Sequence, residues 1–147
     1  MVRRNPWYPI LLAVVLGATP AAAEDAKTLY DRGYLRQAAV LCEQRLATNP
    51  KDAEAGAFLA RIRAEQGEKD QALKLANAAV AADPKSAEAE YALAEYYGRE
   101  ARSASLLHQA GLAGKMKKAS EAALAIDPNH IDALEIGQNT GSKFRPP

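Results

Sequence analysis

Thr48-Asn49-Pro50-Lys51, Ala82-Asp83-Pro84-Lys85 and Ile126-Asp127-Pro128-Asn129 are versions of one phrase, each closing a stretch rich in Ala and Leu. The first two prolines stand 34 residues apart and the next two 44. Proline lacks the N–H that a helix interior needs, so each phrase ends a helix. Asp52 and Ser86 follow a proline by two residues, where a side-chain oxygen can cap the next helix. Between the phrases, apolar residues share faces at helical spacing: Leu41, Cys42 and Leu46, then Phe58, Leu59 and Ile62, then Leu73, Ala76 and Val80. Ala is abundant and β-branched residues are sparse, which favours helix throughout. The expectation is all-α.

A 34-residue period ending in Asn/Asp-Pro resembles the tetratricopeptide repeat (TPR). That family carries an aromatic, Leu-Gly and Tyr on its first helix, then Ala, a bulky residue, Ala and Pro on its second. Gly56, Leu59, Ala60 and Arg63 stand at the first-helix places of the middle repeat. Gly67 follows as a left-handed cap, then Ala72, Ala76, Ala79 and Pro84. The earlier repeat has Gly33 as its turn, then Ala38, Cys42, Arg45 and Pro50, with Arg45 where a small residue is the rule. Its first helix is short, with Leu29 and Tyr30 as its apolar contacts, so fraying is expected there. The third repeat has Leu93, Ala94, Tyr97, then Met116, Ser120, Ala123 and Pro128, with ten extra residues between its helices. Those residues read as an extension of the first helix past Ala101, or as a separate short helix ending before Gly111. Either way Leu106 and Leu107 need a place to bury. The resemblance implies a TPR-like right-handed solenoid of antiparallel helix pairs, about 2.5–3 repeats. The repeats fall at 24–50, 51–84 and 85–128, with a partial helix at 129–137 and an irregular tail at 138–147.

Residues 1–23 read differently. Arg3 and Arg4 precede the apolar run Ile10–Leu16, and Ala21-x-Ala23 satisfies the small-x-small rule for signal peptidase. The expectation is a signal peptide cleaved between Ala23 and Glu24 and a periplasmic or secreted chain. The alternative, an uncleaved inner-membrane anchor, is disfavoured because spanning takes about 20 apolar residues. Asn5-Pro6-Trp7 after the arginines does not continue a twin-arginine pattern, and no cysteine at the cleavage point offers a lipid anchor.

About 124 residues then remain, one domain's worth. The net charge of +1 becomes −1 once Arg3 and Arg4 are removed. A near-neutral domain gives no electrostatic case for nucleic acid. Cys42, the single cysteine, provides no disulfide framework, and its place on an apolar helix face reads as packing. His108 and His130 have no ligand-spaced neighbours that would hold zinc, and His130 reads as a cap for the helix that follows it. Gly111-x-x-Gly114-Lys115 fails the phosphate-loop pattern in glycine spacing and in lacking Ser or Thr after the lysine, so a turn and a helix start are expected. Lys115, Lys117 and Lys118 read as a solvated face. No catalytic constellation is present, so the expectation is no enzyme and no cofactor.

The resemblance implies that first helices line a concave groove for a partner helix or peptide. It places Lys27 and Tyr30, then Ala57 and Arg61, then Tyr91, Glu95 and Arg99 there. The Lys and Asn that clamp a terminal carboxylate in some members are replaced by Ala57, Arg61, Tyr91 and Glu95, so that role is not implied. The partner expected is a protein or peptide. Ile131, Leu134 and Ile136 form an apolar stripe that a second copy of the chain could cover as a homodimer.

Tyr96-Tyr97-Gly98-Arg99-Glu100-Ala101, Gly111-Leu112-Ala113-Gly114-Lys115 and Asp127-Pro128-Asn129-His130 are similar to stretches in a group of exported bacterial repeat proteins. Those proteins continue into further repeats, whereas the last ten residues here depart from their pattern. A truncated member without independent function is therefore the alternative to a complete scaffold.

Overall fold

The computed structural model describes residues 25–139. The expected leader, its Ala23–Glu24 cleavage point and most of the tail lie outside them. Seven helices fill the described residues: α1 (Ala26–Asp31), α2 (Leu35–Thr48), α3 (Ala53–Glu65), α4 (Lys69–Ala82), α5 (Ala87–Ser103), α6 (Leu106–Ile126) and α7 (Ile131–Asn139). They stack as helix pairs in a solenoid. α1, α3, α5 and α7 each pack on the next and form an inner layer, while α2, α4 and α6 lie outside it.

The repeated phrase has a local physical cause. Asn49, Asp83 and Asp127 each turn their side-chain oxygen back to accept the N–H two residues on, at 3.1, 2.9 and 2.9 Å. This turn needs Asn or Asp and makes no demand on the proline nitrogen between. The next helix is then capped: Asp52 accepts from the Ala55 N–H (3.0 Å) and Ser86 from that of Ala89 (3.2 Å). Asp25 caps α1 in the same way through the Thr28 N–H (2.6 Å). Gly33 and Gly67 turn within the first two pairs at φ +77° and +81°, a region where a Cβ is strained.

Small residues set the spacing between the helices. A Cβ on Gly56 would stand 3.3 Å from that of Ala79, which brings α3 close against α4. Ala57, Ala60, Ala76, Ala89 and Ala92 continue this thin core across α3, α4 and α5. The bulkier first cluster gathers Phe58, Leu59, Ile62 and Cys42 under α1. Burial pushes the Cys42 thiol up to about 11, consistent with packing rather than reactivity. Arg45, out of place in the repeat pattern, ties α2 to the start of α3 through Asp52 (2.8 and 2.9 Å) and Glu54 (2.7 Å).

The extra residues of the third pair lengthen both of its helices. α5 runs past Ala101 to Ser103 as expected, but no short helix ends before Gly111. α6 starts at Leu106 and continues unbroken through Gly111 and Gly114 to Ile126, so the expected turn at Gly111–Lys115 is absent. Each glycine costs a helix interior about 1 kcal/mol, too little to break a ladder continuous on both sides. Leu106 and Leu107 are not buried; they are 85% and 92% exposed at the tip of the lengthened pair. The apolar stripe of α7 is also divided. Ile131 is 71% exposed, whereas Ile136 packs on the core beside buried Ala133.

Candidate functional site

Arg61 is the centre of the inner layer. It sits midway along α3, and its side chain, only 7% exposed, projects between α1 and α5. Its Nη1 donates to Glu88 and its Nε to Glu95, both at 2.7 Å, and Asp132 of α7 lies 3.8 Å from Nη2. The guanidinium plane is flanked by aromatic faces, 4.3 Å from the Tyr30 ring centre and 4.8 Å from that of Tyr91. A buried guanidinium is tolerable only when its donors are met and its faces are covered, and both conditions hold here. Burial opposes the charge on Arg61, but Glu95 and Glu88 outweigh it and hold the group fully protonated.

The network extends to both ends of the layer. The Tyr30 hydroxyl donates to Glu65, and burial, with Glu95 next, pushes its phenol up. Arg99 donates to Glu95 (2.7 Å) and Glu65 (3.4 Å). His130 Nε2 reaches Glu88 at 3.3 Å, and Nδ1 accepts the Ala133 N–H at 3.3 Å, which is the expected cap at the start of α7. Tyr30, Arg61, Glu95 and Arg99 are thus drawn together, with Tyr91 against the guanidinium. Lys27 stands apart, exposed and paired with Asp31 (2.6 Å). Ala57 is buried in the seam between α3 and its neighbours and presents no surface. Glu65, Glu88 and Asp132 are the members that sequence reading passed over, and His130 was read as a cap but not as a partner of Glu88. A signal for part of the network was present: Arg61 and Glu95 are 34 residues apart, one repeat period, and of opposite charge.

Glu88 and His130 make the junction with α7 sensitive to pH. Burial raises the Glu88 carboxyl, but hydrogen bonds and charge from His130 and Arg61 prevail and hold it below the usual range. His130 is raised chiefly by its bond to Glu88, against the opposing effect of burial. The Nε2–H tautomer serves both contacts; a second proton strengthens the Glu88 pair at the expense of the long Ala133 bond. A raised histidine contributes stability that is fully present below its unfolded value, near 6.5, and is lost as pH rises through the folded value. The melting temperature is therefore expected to fall between about pH 6 and pH 8. In His130→Gln that slope should flatten, as measured by thermal denaturation followed by circular dichroism. An unchanged slope would assign the effect to another group.

Beside this network lies a groove of about 830 Å³ along the lengthened α5 and α6, opening next to α7. Gly98, Ala101, Ala110 and Ala113 make a floor of small residues, and Met116 and Ile136 wall one end. Among the described residues no group of His, Cys, Asp and Glu is arranged to hold a metal ion.

Residues 29–96 match the family model described as Tetratricopeptide repeat. The fold is similar to the crystal structure of a thermophilic TPR protein from Thermus thermophilus, at a TM-score of 0.67 and 25% identity, over 80% of this chain. The chain spans 63% of that structure's length. No curated protein matches the sequence. The proline phrases, the left-handed glycines and the stacked pairs have one explanation, which the family model and the structural neighbour share: residues 29–96 carry tetratricopeptide repeats, and the chain folds as an all-α TPR-like solenoid.

Proposed function

We propose that this chain is an exported scaffold that holds a protein partner on its inner face. Tetratricopeptide repeats serve in general as non-enzymatic platforms for protein–protein interaction. The observation that carries the inner-face reading is the Arg61 network. Four helices of one layer are cross-linked by it, so the face is rigid before any partner arrives, and a preorganised face binds with less ordering cost. Export rests on the leader-like pattern of residues 1–23.

Photo-cross-linking tests the face. A photoreactive residue at Lys27 or Arg99 is expected to trap one discrete protein in the cell envelope. The same residue at exposed Asn77 on α4, outside the layer, is expected to trap none. Capture from α4 alone, or equally from both sides, would remove the inner-face reading. Fractionation with amino-terminal sequencing tests export: a mature chain starting at Glu24 supports it, and a chain retaining Met1 in the cytoplasm overturns it.

A further inference from the structure

We propose that the groove between the lengthened α5 and α6 docks an amphipathic helix of a partner protein, bulky and apolar on one side and acidic beside it. This deepens the inner-face reading and rests on it. The first observation is continuity. α7 already lies against α5 and α6, covering the Ser120–Leu124 end of α6: Ala133 is buried there, Ser120 Oγ donates to the Ala133 carbonyl (3.3 Å), and a Cβ on Gly137 would meet Leu124 at 3.7 Å. Ile136 belongs both to this seat and to the groove. The groove is the same seat continued along α6 from Met116 back to Leu106, about 15 Å at 1.5 Å per residue.

The second observation is the form of the floor. Met116 Sδ already fills the space over Gly98, 2.8 Å from where a Cβ there would stand, but Ala101, Ala110 and Ala113 offer hollows rather than knobs, so the occupant must bring the bulk: Leu, Ile or Phe at every third or fourth position. Leu106, 85% exposed at the open end, gives such a ridge an apolar edge to rest on.

The third observation is charge. Glu95 borders the groove but is already matched by Arg61 and Arg99. Arg102 borders it too and makes no ion pair with any described residue. The groove therefore presents one uncompensated cation beside an apolar floor, and a carboxylate flanking the apolar ridge would meet it.

The probe is a synthetic amphipathic peptide of about four helical turns, Leu on one face at i, i+4 and i+7 with Glu alongside, titrated into the isotopically labelled full chain and followed by NMR. Saturable shifts are expected at the amides of Gly98, Ala101, Ala110 and Ala113. Ala110→Glu puts a charge on an exposed helical position that tolerates it, leaves the fold intact by circular dichroism, and should weaken binding about tenfold or more. Exchanging the peptide's Glu for Lys should weaken it severalfold. Groove amides unmoved by peptide up to about 1 mM would overturn the proposal. If the shifts fall instead on Tyr30, Glu65 and Arg99, the inner-face reading stands and the groove proposal falls. Groove shifts that follow protein concentration without peptide would assign the seat to a second copy. Shifts on deletion of residues 140–147 would assign it to the chain's own end. Either result overturns the partner helix.

Discussion

Replacing Arg61 by Ala is expected to lower stability by about 3 kcal/mol or more, near the lower end of the range for breaking a buried ion pair. For a domain of this size that is a fall of roughly 10 °C in melting temperature. The argument is one of uncompensated charge. Glu88 and Glu95 each lie 2.7 Å from the guanidinium, and both are largely shielded from water. Without Arg61 they face each other across a cavity lined by Tyr30 and Tyr91. His130 still reaches Glu88 and Arg99 still reaches Glu95, which is why the lower end of the range applies. Arg61→Lys keeps the charge but cannot reach two carboxylates and two ring faces at once, so it should recover less than half of the loss. Adding Glu88→Gln to Arg61→Ala should recover part, because it removes one stranded charge. Chemical denaturation of the three variants measures this directly. A loss under about 1 kcal/mol for Arg61→Ala would show that water screens the network as it does a surface pair.

The same residue shows how far the sequence could be read. The helix ends were legible because they are written locally: the Asn or Asp before each proline, the caps at Asp52 and Ser86, the left-handed Gly33 and Gly67. The pairing of helices was legible from the period. Arg61 and Glu95 were visible as residues of one face, but not as a buried pair. Burial there depends on Tyr30 and Tyr91 closing over the guanidinium from two other helices, which no local pattern encodes. His130 was legible as a cap through Ala133 but not as a partner for Glu88, 42 residues away.

The lengthened third pair misled for a different reason. Gly111 and Gly114 look like breakers, and two leucines in a row look like core. In the structure neither glycine has a neighbour that a Cβ would touch, and both leucines face solvent. The segment is helical because its flanks are, and it is exposed because α7 covers only the far end of α6. Its length is what creates the groove, so the part of the chain that departs most from the repeat also gives the surface its individual character.

Phe58→Ala is expected to act on a different scale. Phe58 is fully buried beneath α1, its ring 5.8 Å from that of Tyr30 and packed with Cys42, Leu59 and Ile62. Truncating a buried phenylalanine costs about 3–5 kcal/mol. Yet α1 has only six residues and rests on this cluster through Ala26, Leu29 and Tyr30. In a stack where each repeat touches only its neighbours, the loss falls first on the repeat that leaned on the missing ring. The amides of α1 and α2 should therefore lose about a hundredfold of their protection from hydrogen exchange, while α5 and α6, whose clusters form around Leu93 and Leu124, keep theirs. Arg61→Ala should loosen α1 and α7 together, because the guanidinium reaches both through Tyr30 and Asp132. A uniform loss of protection over all the described helices in Phe58→Ala would mean that the stack opens as one unit. The ion-pair network, rather than the small clusters, would then set its cooperativity.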